Sequence, residues 1–180
     1  MTRPAPGRVW IISGCPGVGK STLSRALLAR FPFGLHLPVD DLRELVVSGI
    51  AHPTLESPPE AARQFALARR AAAHHARLYA EAGFTVAVDD VLWPQDALPF
   101  LEALQGLEVR RVLLAPGLEV AQARNAERKG KTYDTATLAP MIAALYPAMP
   151  EADYRAAGWT VLDTSGMTVE ETVDRLLAGE

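Results

Sequence analysis

The chain alternates between short, mostly apolar runs and longer segments in which apolar residues recur every three or four positions. A continuous apolar run with β-branched residues is typical of a strand buried on both faces, and the longer spacing predicts amphipathic helices. The apolar runs lie at residues 8–13, 35–39, 84–88, 109–115 and 159–162. This alternation predicts a three-layer α/β fold, in which a five-stranded, mainly parallel sheet is flanked by helices.

The helical segments carry recognisable start and stop signals. Pro32 ends the helical pattern that follows residue 20. Asp41 with Glu44, and Thr168 with Glu171, have the spacing of a capping box, so each pair predicts a helix start. The further predicted helices cover residues 41 to about 49, 57–82, 94–105, 117–129, 137–147 and 169–178. The predicted buried stripe of the long helix consists of Phe65, Ala68, Ala72, Ala76 and Tyr79.

The composition is that of one ordinary domain spanning residues 1–180, with 49% apolar and 22% charged residues. A net charge of −3 gives no general attraction to nucleic acid or to an anionic membrane. No apolar run approaches the roughly 20 residues that span a bilayer, and the polar first residues do not resemble a signal peptide. A single cysteine cannot form an internal disulfide, so we expect a reducing, cytoplasmic location. The net charge and the lack of a long apolar run predict no membrane partner.

A glycine-rich motif, Gly-Cys-Pro-Gly-Val-Gly-Lys-Ser, lies at residues 14–21 between the first predicted strand and the first predicted helix. The glycines allow backbone N–H groups to approach phosphate oxygens, and the helix N-terminus adds positive potential at the same point. Lys20 can bring a charge to the β- and γ-phosphates, and the Ser21 hydroxyl can hold Mg²⁺. The predicted nucleotide-binding residues are Gly14, Cys15, Pro16, Gly17, Val18, Gly19, Lys20, Ser21, Thr22 and Arg124.

Two acidic residues follow the second predicted strand directly. Phosphoryl transfer to an alcohol needs a carboxylate that accepts the proton and orients the oxygen. Asp40 is the stronger candidate, because Asp41 is predicted to cap the helix; both remain possible bases, and a capping or turn role is the alternative for Asp40. Arg43, one helical turn further on, is predicted either to hold the substrate or γ-phosphate or to pair with a surface acid.

A second acidic pair, Asp89-Asp90, follows the third predicted strand. The carboxyl ends of parallel strands meet at one edge of a sheet, which is where such folds bind their ligands. We therefore predict that Asp89 joins Ser21 in holding Mg²⁺, with a turn or capping role as the alternative.

Positive charges recur on the predicted helix at 117–129. Arg124 and Arg128 are four residues apart, a spacing that is unfavourable for like charges unless an anion lies between them. This predicts a small lid at about 124–133 that closes on ATP and stabilises the migrating phosphoryl group. The alternative is a solvated helix face on which Glu127 pairs with Lys131.

These motifs resemble those of the small P-loop kinases, a family that includes polynucleotide 5′-kinases, chloramphenicol phosphotransferase and zeta-toxin kinases. The segment from Gly14 to Thr22 is similar to the loop of phage-type polynucleotide kinase, and Asp40-Asp41-Leu42-Arg43 to its Asp-Asp-Tyr-Arg segment. The resemblance implies that Asp40 is the base and that Arg43 contacts the reaction centre. It identifies no acceptor, because the predicted acceptor-binding region at about 41–82 matches no substrate signature.

The leading hypothesis is an ATP- and Mg²⁺-dependent kinase that phosphorylates a hydroxyl of a small molecule. The alternative is a 5′-hydroxyl kinase whose partner is a nucleic-acid end. A nucleotide-dependent switch or an ATPase without an acceptor is a third hypothesis. It is disfavoured because the chain lacks an Asn-Lys-x-Asp signature and has Asp-Asp where motor ATPases commonly have Asp-Glu.

Overall fold

The computed structural model describes residues 5–54, 58–127 and 138–179. Within these ranges five strands form one parallel sheet in the order β2-β3-β1-β4-β5. The strands are β1 Val9–Ser13, β2 Gly34–Pro38, β3 Thr85–Asp90, β4 Val109–Leu114 and β5 Thr160–Leu162. The prediction of a five-stranded α/β sheet flanked by helices is confirmed.

Eight α-helices and one 3₁₀ helix lie within the described ranges. The α-helices are α1 Lys20–Leu28, α2 Val39–Arg43, α3 Pro59–Glu81, α4 Leu98–Ala103, α5 Leu118–Ala126, α6 Leu138–Leu145, α7 Glu151–Ala156 and α8 Val169–Ala178, and the 3₁₀ helix is Pro94–Ala97. Helix α3 packs against β3 and α4, and α1 packs against β3 and α8. None of the helices in the part of the chain described here combines the length and apolar character needed to cross a bilayer.

The two central strands are buried along their whole length, as continuous apolar runs predict. The stripe of α3 is confirmed at Ala68, Ala72 and Ala76, whose small side chains let the helix lie close to the sheet. Phe65 and Tyr79 are only half-buried, however. Phe65 lines the cavity described below, which leaves part of its ring exposed.

The helix start predicted at Asp41 is wrong by two residues. Helix α2 begins at Val39, directly after β2, and Pro38 caps it in an extended conformation with no side-chain hydrogen bond. Asp40 and Asp41 therefore both lie in its first turn, where a carboxylate is stabilised by the helix dipole without acting as the cap. The helix also ends at Arg43, well before the predicted stop.

Other boundaries follow the predictions more closely. The predicted capping box of Thr168 and Glu171 is confirmed, with both reciprocal hydrogen bonds, and α8 has the predicted bounds Val169–Ala178. The segment predicted as one helix at 94–105 divides into the 3₁₀ helix and α4. Helix α7 has no counterpart among the predicted helices.

Candidate functional site

A cavity of about 1910 Å³ opens where the carboxyl ends of the strands meet the loops that follow them. Its wall includes the glycine loop, the start of α1, helix α2, the end of β3 and the first half of α3. The predicted site residues that line it are Pro16, Gly17, Val18, Gly19, Lys20, Ser21, Thr22, Asp40, Asp41, Arg43, Asp89 and Arg124. Gly14 and Cys15 lie beneath this surface in the core, and Arg128 lies outside the described residues.

The glycine loop is packed so closely that two of its glycines have no room for a side chain. Gly14 has φ +145°, and a Cβ there would lie 2.6 Å from the Leu114 carbonyl oxygen. Gly17 has φ +87°, and its Cβ would lie 2.5 Å from the Ala121 carbonyl oxygen of α5. The loop is therefore wedged between the end of β4 and α5, and its shape is fixed by the fold.

Lys20 is the first residue of α1, and its ammonium turns back over the loop. Nζ donates hydrogen bonds to the carbonyl oxygens of Gly14, at 2.8 Å, and Cys15, at 3.0 Å. Burial lowers the pKa of Lys20, against the opposing effect of the nearby carboxylates, of which Asp89 acts most strongly and Asp40 next. The positive charge is thus held in the loop, among carboxylates from two neighbouring strand ends.

Asp89 has neighbours on both sides of its strand. Its Oδ2 lies 2.7 Å from Nε2 of His36, and the Ser21 side chain is close enough to lower the pKa of the carboxylate. Burial by itself raises the pKa of Asp89, but the His36 hydrogen bond and the positive charge of Lys20 outweigh it, so that the pKa lies below its ordinary value. The group is therefore an anion at neutral pH.

Ser21 and Asp89 fit a magnesium ion chemically. A hydroxyl and an ionised carboxylate are oxygen ligands, which Mg²⁺ prefers, and Mg²⁺ usually binds through one or two such groups plus substrate phosphates. Both residues line the cavity, and Ser21 is near enough to Asp89 to lower the pKa of its carboxylate.

Asp40 and Asp41 are both exposed on α2 and both line the cavity. Asp40 acts electrostatically on the centre of the site, because its charge is among those that raise the pKa values of Lys20 and Asp90. Its assignment as the base stays a prediction.

Asp90 forms a buried ion pair with Arg69, a residue that the sequence analysis missed. Arg69 Nε donates to Oδ2 at 2.6 Å, and the Val91 N–H donates to Oδ1 at 2.7 Å. Burial raises the pKa of Asp90 to about 6, although the Arg69 charge lowers it. Arg69 also donates to the Val91 carbonyl, at 3.0 Å, and so ties α3 to the end of β3. The sequence carried one signal for Arg69: it directly follows Ala68, which belongs to the predicted buried stripe of this helix.

The Phe65 ring contacts two guanidinium groups at the side of the cavity that α2 and α3 form. The Arg43 guanidinium carbon is 4.7 Å from the ring centroid, and that of Arg69 is 5.6 Å away. Arg43 is 5% exposed and its Nη1 donates to the Ala51 carbonyl at 3.0 Å. Its Nε is buried without a hydrogen-bond partner among the described residues. Arg43 is thus a packed part of this wall, not a surface residue.

Arg124 lies at the opposite side of the cavity, on α5. Its Nη1 donates to the Val18 carbonyl at 3.2 Å, and its Nη2 to the Thr164 carbonyl at 2.9 Å. These bonds attach the glycine loop to the segment after β5. The predicted lid at about 124–133 thus includes the last residues of α5, and its part from 128 onwards lies outside the described residues.

The strand order β2-β3-β1-β4-β5, with the glycine loop between the central strand and the helix that follows it, defines a P-loop kinase fold. A family model described as an AAA domain matches residues 9–148. This is more than half of the chain, and the protein belongs to that family. No curated protein sequence matches the chain.

Solved structures with the same fold include three of similar length. The tunicamycin resistance protein of Deinococcus radiodurans is 18% identical, with 96% of this chain and 95% of that chain covered and a TM-score of 0.63. A gluconokinase from Sinorhizobium meliloti 1021 is 18% identical, with 98% and 93% covered and a TM-score of 0.62. A shikimate kinase from Acinetobacter baumannii, in complex with shikimate, is 17% identical, with 97% and 92% covered and a TM-score of 0.64. At these identities the likeness shows the fold. The closer resemblance to polynucleotide 5′-kinases and chloramphenicol phosphotransferase stays a prediction.

Proposed function

We propose that this protein transfers the γ-phosphoryl group of ATP to a hydroxyl of a small-molecule acceptor, with Asp40 as the general base. The observation that carries the proposal is one cavity whose wall contains the glycine loop with Lys20, the Ser21–Asp89 pair and the exposed carboxylate of Asp40. These are the groups that phosphoryl transfer requires: a phosphate cradle, a metal site and a proton acceptor.

On this proposal the nucleotide phosphates lie against the glycine loop and the N-terminus of α1. The loop amides and the helix dipole favour the anion, and Lys20 places its charge at the β- and γ-phosphates. Ser21 and Asp89 would hold Mg²⁺, which supplies positive charge to the phosphate oxygens during transfer. Arg124 fixes the loop from the other side through its bond to the Val18 carbonyl.

The acceptor lies at the side of the cavity formed by α2 and α3. Asp40, in the first turn of α2, accepts the proton of the acceptor hydroxyl and directs the oxygen toward the γ-phosphate. Arg43, three residues later, lies one helical turn away and supplies positive charge beside the same point. Arg128 is proposed to add charge from the lid.

The lining favours a small acceptor over a polynucleotide. The acidic residues here are Asp40, Asp41, Glu44 and Asp96, and Arg69 is already paired with Asp90. These four carboxylates outnumber the positive charge that Arg43 adds at this side, so a phosphate backbone would meet mainly like charges here. Apolar side chains also line this side, namely Val46, Ile50, Pro53, Ala62, Phe65 and Trp93, together with the polar His52 and Thr54. Two of the similar structures, a gluconokinase and a shikimate kinase, carry the names of small acceptors, which supports the same choice.

The test is a screen for acceptor-stimulated release of ADP from ATP, with sugars, nucleosides, antibiotics and 5′-hydroxyl oligonucleotides as candidates. We expect a small hydroxyl compound to raise ADP release and to yield a phosphorylated product. Stimulation by oligonucleotides alone would favour the 5′-kinase instead. ATP hydrolysis that needs no acceptor and yields no phosphorylated product would contradict both.

With the acceptor in hand, Asp40→Asn tests the base and Asp41→Asn is its matched control, because the two acids are adjacent and exposed on one helix turn. Loss of a general base costs about 10²–10⁴-fold in kcat. We expect Asp40→Asn to show this loss with unchanged ATP binding, and Asp41→Asn to stay within a few-fold of the parent. The reverse order would assign the base to Asp41.

A further inference from the structure

His36 contacts the proposed metal carboxylate from a strand that carries no other proposed site residue. It lies on β2, and its Nε2 is 2.7 Å from Oδ2 of Asp89. The side chains are 13% and 7% exposed, so the contact is largely shielded from water. Nothing in the sequence motifs points to His36, because it precedes the Asp40-Asp41 segment within an ordinary strand.

The sheet explains why the two side chains meet. In the parallel pairing of β2 with β3, His36 lies beside Ala87 and Pro38 lies beside Asp89. Side chains two residues apart on a strand point to the same face, so His36 and Asp89 share a face, and the imidazole reaches diagonally toward the carboxyl end. Strand β3 lies between β2 and β1. His36 therefore approaches Asp89 from one side, and Ser21, after β1, from the other.

A carboxylate in this position needs orientation. The terminal torsion of an aspartate is broad and has no sharply preferred value, so the group can rotate unless a neighbour holds it. The Lys20 charge also acts on Asp89, but its ammonium donates to the Gly14 and Cys15 carbonyl oxygens and so does not hold the carboxylate. The hydrogen bond from His36, on the neighbouring strand, is the contact that fixes one oxygen.

We propose that His36 is a positioning residue for the metal site: its Nε2–H holds one oxygen of Asp89, so that the carboxylate keeps the orientation in which Asp89 and Ser21 together bind Mg²⁺. The inference rests on the proposed function, because it requires Asp89 to be a metal ligand. Loss of such a supporting hydrogen bond typically lowers metal affinity by about 10–100-fold.

The measurement is the affinity for ADP with and without Mg²⁺, by titration calorimetry, in each variant. The ratio of the two affinities is the magnesium increment, and it isolates the metal site from any general weakening of the loop. His36→Leu removes the donor, whereas His36→Gln keeps an N–H at a similar reach. His74→Leu, at an exposed position on α3, is the matched control.

We expect His36→Leu to lower the magnesium increment by about tenfold or more, with metal-free ADP binding nearly unchanged. His36→Gln should retain most of the increment, and His74→Leu all of it. Asp89→Asn should abolish the increment, and adding His36→Leu to it should then cause no further loss, because the two residues act as one unit.

Two results would overturn the proposal, and they are distinguishable. If Asp89→Asn abolishes the increment but His36→Leu leaves it intact, His36 does not position the carboxylate and the proposed function stands. If Asp89→Asn leaves the increment intact, Asp89 is no metal ligand, and the proposed metal site falls together with this inference.

A second readout needs neither metal nor a destabilised variant. Long-range ¹H–¹⁵N spectra of the imidazole groups of the parent protein, with no nucleotide present, report which ring nitrogen carries the proton. We expect the Nε2–H form for His36, and a changed His36 signal in Asp89→Asn. A neutral His36 protonated only on Nδ1 has no Nε2–H to donate and would refute the proposal.

Discussion

Gly17→Ala tests how closely the glycine loop packs against α5. Gly17 has φ +87°, and an added Cβ would lie 2.5 Å from the Ala121 carbonyl oxygen and 3.1 Å from the Asn125 Cβ. The carbonyl belongs to the backbone of α5 and cannot rotate away. The substitution therefore adds both backbone strain and a steric clash.

The two contributions can be separated because Gly106 has the same φ, +87°, with open space around it. Alanine in a left-handed conformation costs about 1–2 kcal/mol, which is the whole expected effect of Gly106→Ala. Forcing an extra methyl group into a packed site costs about 1–3 kcal/mol more. We therefore expect Gly17→Ala to lower the free energy of unfolding by about 2–5 kcal/mol, and Gly106→Ala by about 1–2 kcal/mol.

Urea unfolding followed by far-ultraviolet circular dichroism gives both free energies, and calorimetric titration with ADP gives the affinities. Gly17→Ala should also weaken ADP binding, because either the loop or α5 must move to accommodate the methyl group. Gly106, in the turn before β4, should leave ADP binding unchanged. Equal destabilisation by the two substitutions would refute the close approach of the loop to α5.

Two further predictions concern buried ionisable groups. Arg69→Leu leaves the Asp90 carboxyl buried without its charge partner, and we expect a loss of about 3 kcal/mol in urea unfolding; adding Asp90→Asn should recover part of it, and an additive further loss would contradict the pairing. Burial raises the pKa of Cys15 from 9.0 to about 11, despite the charge of Lys20. The unfolded thiol therefore loses its proton first, so stability should fall as pH rises from about 9 toward 11, and Cys15→Ala should remove that part of the decline. A decline of the same size in both proteins would show that Cys15 does not cause it.

Much of the fold was predictable because the information is local. A parallel strand buried on both faces must be continuously apolar, which is why the central strands were evident from the apolar runs alone. The glycine loop was equally evident, since the positive φ at Gly14, Gly17 and Gly19 favours glycine and the backbone packing at Gly14 and Gly17 leaves no room for a Cβ. The capping box of Thr168 and Glu171 involves only four consecutive residues, and its helix has the predicted bounds.

The predicted start of α2 was wrong because a capping signal in the sequence competes with the end of the preceding strand. Asp41 and Glu44 have capping-box spacing, but Pro38 already ends β2 in an extended conformation, and the helix begins directly after it. The pairing of β2 with β3 fixes where the strand ends, and this long-range constraint overrides the weaker capping preference.

The strands, the phosphate-binding loop and the acids that follow β2 and β3 could be recognised from the order of residues alone, because burial periodicity and backbone conformation are properties of neighbouring residues. Three contacts became visible only in the folded chain: His36 with Asp89, Arg69 with Asp90, and Phe65 with the guanidinium groups of two arginines. Those contacts depend on strand order and on the side of the sheet where each helix packs. Apolar runs do not encode that order, since each one satisfies burial equally well at several positions in a sheet.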